Sequence, residues 1–196
     1  MQIERTTLRG SRIALEPLEE AKHPSGLARA IEDGELWELA VTIVPHPRDL
    51  PDFFRNAEVQ FKTQKELAFA IVDLEAGLVL GSTRFRCIEI AHKRVEIGFT
   101  FIANSWQKTY ANTEAKYLML KHAFEHWHFN RVEFLTDALN KKSRAAILGV
   151  GASDEGVMRS HMVMRDGCIR DSVLFSVIFS EWPEVKNALE AKLRKA

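Results

Sequence analysis

A chain of 196 residues carries 27 Lys and Arg against 27 Asp and Glu, so its formal net charge is zero, and 46% of it is hydrophobic. That length suits one domain, 1–196, with a sizeable core, and the balanced charge excludes a global attraction to nucleic acid or to an anionic membrane. The two cysteines, Cys87 and Cys168, form neither a metal-type pair nor a disulfide framework, which favours a reducing compartment.

The opening run MQIERTTLRG carries charges where a signal peptide needs an apolar stretch. Nowhere do about 18 apolar residues run together, so the expected location is the cytoplasm. Arg12 to Leu18 alternates around Ile13 and Leu15, with Pro17 closing, and predicts a first strand after a turn at Gly10. Two short helices follow, Ser25–Asp33 and Glu35–Ala40, until Pro45 and Pro47 break the helical path. Asp49 is then placed to cap a helix with Pro51 in its first turn, running on Phe53, Phe54, Ala57 and Phe61 to about Gln64.

Leu67–Leu74 and Leu78–Ile88 are β-rich runs around Glu75-Ala76-Gly77, which predicts a hairpin. After a turn at Ala91-His92-Lys93, Val95, Ile97, Phe99 and Phe101 alternate with Glu96, Gly98 and Thr100, the period of a central strand. From Thr113 the period becomes helical: Met119, Ala123 and Trp127 form a stripe with Leu120 and Phe124 beside it, while Glu114, Lys121, Glu125 and His128 share the other face. Asn112 or Thr113 is placed to cap this helix, and Glu114 complements the positive end of its dipole. The joint Ser105–Asn112 therefore presents unpaired N–H groups at a helix N-terminus, a place that attracts phosphate.

Arg131–Thr136 reads as a short strand and Asn140–Val150 as a helix ended by Gly151. Asp154–Met164 and Ile169–Phe179, joined by Arg165-Asp166-Gly167-Cys168, make a hairpin that alternates at Val173, Phe175, Val177 and Phe179. A last helix begins near Glu181 or Pro183. Apolar strand edges in the hairpin make a homodimer a reasonable expectation.

Three runs in this order, Glu96-Ile97-Gly98-Phe99, then WQKTYANTEA from Trp106 to Ala115, then TDALNKKSRA from Thr136 to Ala145, resemble the GNAT superfamily of N-acetyltransferases. More narrowly, they resemble the branch containing the bacterial N-terminal acetyltransferases of ribosomal proteins, which act on alanine or serine. The resemblance covers most of the chain. It implies an α+β, three-layer fold: a mixed, mostly antiparallel twisted sheet of about seven strands flanked by helices. It also implies acetyl-CoA as co-substrate, no metal, and transfer of acetyl to a primary amine by direct attack in a ternary complex. The acceptor is either a protein N-terminus or a small molecule.

Such a reaction needs a pyrophosphate cradle, donors for the thioester oxyanion, a base for the ammonium and an acid for the thiolate. The resemblance places the cradle on Gln107, Lys108, Thr109, Tyr110, Ala111, Asn112 and Thr113. It sets the thioester carbonyl and pantetheine against N–H groups of Phe101 and Ile102, where the strand splays from its neighbour. Asn140 and Ser143 fall along the pantetheine and thiol end. Ser143 is either the acid for the thiolate or part of a helix cap, and Lys142 either meets a CoA phosphate or faces solvent. Glu96, mid-strand, has a raised pKa when buried and is the candidate base; the alternative is an ion pair with Arg84 or Arg86 on the preceding strand.

Tyr110 and Asn112 stand where the family pattern has glycine, and glycine or alanine. Asn tolerates the left-handed conformation, whereas Tyr is strained wherever φ must be positive. Those missing glycines support a second function class, a non-catalytic acyl-CoA-binding module of the same fold. His122, Glu125, His126 and His128 invite a metal reading, with His122 and His126 on one helix face. Without an HExxH order or a third ligand they read as solvated. His161 in the hairpin is either a base or substrate contact, or a strand residue facing solvent. No Gly-x-Ser-x-Gly, Walker or Gly-x-Gly-x-x-Gly pattern occurs, which leaves hydrolase, nucleotidase and Rossmann readings little to stand on.

Overall fold

The computed structural model describes residues 1–164 and 166–195. Its strands are β1 (Leu8–Arg9), β2 (Ile13–Pro17), β3 (Leu67–Asp73), β4 (Val79–Glu89), β5 (Arg94–Ile102), β6 (Arg131–Asp137), β7 (Ser153–Val163) and β8 (Ile169–Ile178). They form one sheet in the order β1-β2-β3-β4-β5-β6-β8-β7, and β5–β6 is the one parallel pair in it. The helices are α1 (Pro24–Glu32), α2 (Leu50–Lys62), α3 (Tyr110–Lys121), α4 (Lys141–Val150) and α5 (Trp182–Lys195). The mixed, mostly antiparallel sheet flanked by helices is the expected class. Eight strands replace the expected seven because the chain folds back at Gly10 to pair Leu8 with Leu15 and Arg9 with Ala14. A two-residue strand has no period to read.

Alternation assigns the two faces. Phe85, Val95, Ile97, Val132, Phe134, Val173, Phe175 and Val177 meet Met119, Phe124, Ile147 and Leu189 in the main core, beneath α3, α4 and α5. Full burial of each such side chain contributes about 1.5–3 kcal/mol. On the opposite face a smaller cluster joins Leu27 and Ile31 of α1 and Phe54 and Ala57 of α2 to Ala68, Ala70 and Phe101. α1 and α2 pack over β3, β4 and β5. Over β6 and β8 the same face shows Glu133, Leu135 and Leu174, all partly exposed.

Several local expectations change. α3 starts at Tyr110 rather than Thr113, and its cap is Thr109, whose hydroxyl accepts from the Ala111 N–H at 3.3 Å; neither Asn112 nor Thr113 caps. Glu114 does not serve the dipole. It is 2% exposed, and its Oε1 accepts from Ser11 N at 2.6 Å, Ser11 Oγ at 2.8 Å and Arg12 N at 3.2 Å. The β1–β2 turn thus covers a helix face that local periodicity assigns to solvent, through a contact about a hundred residues distant in sequence.

After Lys121 the chain widens into a π turn, His122–His126, in which Trp127 N donates to His122 O at 3.0 Å. His122 lies between Phe85 and Trp127, with ring centroids 6.1 and 4.8 Å away, and burial pushes its pKa down to about 4. Among the described residues no group of three His, Cys, Asp or Glu is placed to hold a metal ion. The expected Glu35–Ala40 helix is a single 3-10 turn, Leu36–Glu38. Another, Pro47–Asp49, runs straight into α2, so Asp49 makes no side-chain cap and His46 Nδ1 accepts from Arg48 N at 3.2 Å instead. β8 ends at Ile178, and Phe179 opens a 3-10 turn. Arg165, assigned to the β7–β8 turn, lies outside the described residues. No helix among the described residues is long and apolar enough to cross a membrane.

Candidate active site

The parallel ladder between β5 and β6 is short. It pairs Arg94 with Arg131, Val95 with Val132 and Glu96 with Glu133, and then stops. Beyond Glu96 the strands part into a V, and Ile97–Ile102 keep β4 on one side only. Backbone groups directed away from β4 have no strand partner along that edge. The splay expected at Phe101 and Ile102 therefore begins already at Ile97.

A bulge accounts for the divergence. Ser82 pairs with Phe101 and Arg84 with Gly98, so the single residue Thr83 opposes both Phe99 and Thr100. Phe99 sits at φ 45°, outside the extended region. This extra residue turns Thr100 toward α3 and leaves the Phe99 ring on the opposite face, where the guanidinium of Arg86 stacks on it at 4.1 Å and that of Arg84 at 5.2 Å. Bulged strands bend, which swings the end of β5 away from β6.

At the mouth of the V, β5 enters a 3-10 turn, Asn104–Trp106, held to the end of α1. Asn104 N donates to Asp33 O at 3.0 Å, and Ser105 N and Oγ donate to Asp33 Oδ2 at 3.0 and 2.5 Å. Lys108 takes the loop's positive φ, 63°. Tyr110, already helical, has no positive φ, so this position does not need a glycine. Its side chain turns away from the loop: the hydroxyl donates to Asp73 Oδ2 at 2.5 Å, and Arg12 stacks on the ring at 4.2 Å. The Asp73 carboxylate pushes the phenol up to about 12.

The N–H groups of Lys108, Thr109 and Tyr110 have no backbone partner among the described residues. A depression of about 570 Å³ lies against Lys108, Thr109, Tyr110, Thr113, Lys192 and Leu193. Free N–H groups, the positive end of a helix and two lysines make this an anion-accepting corner. Gln107 donates from Nε2 to Ile102 O at 2.9 Å, and its Oε1 accepts from Lys142 Nζ, so it links the two arms of the V. Asn140 caps α4, its Oδ1 accepting from Ser143 N at 2.9 Å, while its Nδ2 reaches Val41 O at 3.5 Å. Ser143 is half-buried in that first turn. Asn112 is part-exposed and Ala111 buried in the first turn of α3. Phe101 and Ile102 are buried, Phe101 against Phe53 at 6.2 Å; the Phe101 carbonyl faces Gly81 of β4, so of the expected pair only the Ile102 backbone faces the V.

Glu96 lies at the apex, in the last pair of the parallel ladder. It is 8% exposed, and its Oε1 accepts from Arg86 Nη1 at 3.2 Å. The ion-pair alternative holds with Arg86 and not with Arg84, which donates to Glu66 Oε2 at 2.9 Å. Burial pushes the Glu96 carboxyl above its usual range; Arg86 opposes this, and Glu133 and Glu66 add to it. His161 faces β8, with Nδ1 3.1 Å from Ser172 Oγ.

Lys116 escaped the sequence reading. It is 6% exposed, and Nζ donates to Thr100 Oγ1 at 2.6 Å and Thr83 Oγ1 at 3.3 Å, under the bulge. Burial pushes its pKa from 10.5 down to about 7. A signal existed: Lys116 stands one turn before Met119 and Leu120 on the apolar stripe. Between about pH 7 and 10 the unfolded chain holds this proton and the folded chain does not, so stability rises with pH there. Lys116→Met should abolish that rise. Its urea midpoint relative to wild type should be highest near pH 6 and drop by an amount worth a few kcal/mol by pH 9. A difference that stays flat over the range contradicts a buried, readily deprotonated amine.

A family model described as Acetyltransferase (GNAT) domain matches residues 12–153. Among curated relatives, Uncharacterized N-acetyltransferase p20 of Bacillus licheniformis is 25% identical over 141 residues, 72% of this chain and 76% of its own length. A solved GCN5-related N-acetyltransferase from Brucella melitensis is 30% identical with a TM-score of 0.87, covering 98% of this chain and 87% of its own. Two solved proteins share the fold at lower identity. Mycobacterium smegmatis RimJ in complex with CoA-disulfide has a TM-score of 0.77 at 22% identity, over 92% of this chain and 88% of its own. Ribosomal-protein-S5-alanine acetyltransferase from Vibrio fischeri has 0.71 at 14%, over 90% and 98%. The matched span runs from β2 to the start of β7 and contains both arms of the V, and the chain belongs to the GNAT acetyltransferase family.

Proposed function

We propose that the chain acts as one domain, 1–196, and is an acetyl-CoA-dependent N-acetyltransferase that acetylates a primary amine, on a protein N-terminus or a small molecule, by direct attack in a ternary complex. The observation that carries this reading is the V itself, with a buried carboxylate at its apex and a helix start rich in free N–H groups at its mouth. Residues Lys108 to Thr113, with Gln107, fit a pyrophosphate, and the unpaired edge of β5 fits a chain of amides such as pantetheine. That RimJ is solved with CoA-disulfide on this fold supports the donor. Bound acetyl-CoA supplies an activated acyl carbon.

The protein's own groups supply the rest. The N–H of Ile102, which faces the V while Phe101 faces β4, holds the carbonyl oxygen as charge develops on it. Glu96 accepts the proton released as the N–C bond forms, and Ser143 donates one to the sulfur as the C–S bond breaks. Cys87 and Cys168 are free thiols, in keeping with a cytoplasmic site of action. The non-catalytic alternative draws on the missing glycines, and Lys108 at φ 63° weakens that ground.

Titration calorimetry with CoA, followed by thiol release with pooled amines, tests the assignment. One-to-one binding and release with at least one amine is the expected result. Binding without release for every amine would favour an acyl-CoA-binding module.

A further inference from the structure

The face that α1 and α2 leave open continues outward from the apex of the V. Glu96 is followed there by Glu133, Leu135 and Asp137 of β6, and beyond them by Ser176, Leu174 and Ser172 of β8. Most charges on this face are matched. Arg94 and Arg131 hold Glu133 at 3.3 and 2.7 Å, and Arg131 also holds Glu155 at 2.5 Å. Arg86 lies between Glu66 at 3.4 Å and Glu96 at 3.2 Å.

Arg170 differs. It opens β8 on the same face, its side chain is 9% exposed, and its Nε is buried without a hydrogen-bond acceptor. The closest carboxylate oxygen is Asp137 Oδ2, 3.9 Å from Nε, beyond hydrogen-bond range. Asp137 Oδ1 is already engaged by Leu139 N at 2.7 Å. No hydrogen bond from the guanidinium to any described residue is present. Burial pushes its pKa down, while Asp137 and then Glu96 attract the charge and Arg86 repels it. An Nε buried without an acceptor is costly, and the outer nitrogens of the guanidinium present a fork that a carboxylate matches with two parallel bonds.

Resting on the acetyltransferase reading above, we propose that Arg170 anchors the acceptor by its carboxylate, so that the substrate is a primary amine that also bears a carboxylate. Arg170 takes the carboxylate, and the amine is thereby held toward Glu96. Free amino acids and peptides with an acidic first residue both offer this pair of groups.

Thiol release is measured for acceptor pairs that differ only in charge: amino acids against their amides, and peptides starting with Asp or Glu against the same peptides starting with Asn or Gln. Wild type should favour the carboxylate member of at least one series by about tenfold or more in kcat/KM, and that series identifies the source. Arg170→Gln should collapse this ratio toward one through KM, and Arg170→Lys should restore part of it. An unfolding midpoint for each variant checks the fold. Equal kcat/KM within every wild-type pair, or a ratio that Arg170→Gln leaves intact, overturns the proposal. So does CoA binding with no turnover of any carboxylate-bearing amine, whereas failure to bind CoA strikes the donor site instead.

Discussion

Glu96→Gln should reduce turnover at neutral pH by on the order of a hundred- to ten-thousandfold, while CoA affinity from calorimetry stays within about twofold. The substitution keeps the volume of the side chain and an acceptor oxygen for Arg86. Arg86 also keeps Glu66, so no buried guanidinium is stranded. What disappears is the group that takes the amine's proton. The wild-type pH profile follows from the same geometry. The ionised carboxylate is the active form, and burial raises its pKa above 4.5, so the rate should fall with decreasing pH earlier than a solvated Glu would dictate. The stability sign is opposite to that of an ordinary ion-paired carboxylate. The folded state binds the proton more tightly than the unfolded one, so Glu96 lowers stability as pH rises through that window, and the Gln variant loses this dependence. Rates unchanged by the substitution would leave Glu96 as a counter-ion for Arg86 and remove it from the chemistry.

Gly81→Ala should destabilise the protein by about 2–4 kcal/mol and weaken CoA binding with it. Gly81 has φ 157°, and a Cβ there would lie 2.0 Å from the carbonyl oxygen of Phe101. That oxygen belongs to the backbone of β5 beside the bulge, so the clash cannot be relieved by a rotamer change. β5 must move, and its displacement falls on the segment proposed to hold the donor's carbonyl. For a chain of this length the loss corresponds to a fall in Tm of about 5–15 °C. Gly77→Ala is the control: φ is 65° there, but nothing lies within 4 Å of the added carbon, so only conformational strain of about 1 kcal/mol remains. Equal losses for the two variants would contradict a decisive contact at Phe101.

The periodic parts of this fold are legible in sequence. Alternation through Val95 and Ile97 and the helical stripe of Met119, Ala123 and Phe124 place the central strand, its helix and the core between them. Local chemistry also places the start of α4, where Asn140 caps as its residue type suggests, but at α3 it points to Asn112 or Thr113 and misses Thr109. The remainder depends on contacts between distant segments. Nothing near Glu114 announces that Ser11 and Arg12 will cover it, and nothing near Tyr110 reveals Asp73 as its partner. The bulge at Phe99 is invisible to a strict period of two, which would set Thr100 on the wrong face. Arg170 lies in a strand that reads as half-exposed, and the lack of a hydrogen-bond acceptor at its Nε shows only once β6 is beside it, with Asp137 at 3.9 Å.

A crystal structure of the protein grown with saturating CoA would show whether the V is the donor site. The pyrophosphate is expected on the N–H groups of Lys108 to Asn112, the pantetheine along the open edge of β5 between Ile97 and Ile102, and the thiol directed to the apex at Glu96. A V still bridged by Gln107 and Lys142, with coenzyme absent or bound elsewhere, would contradict that assignment.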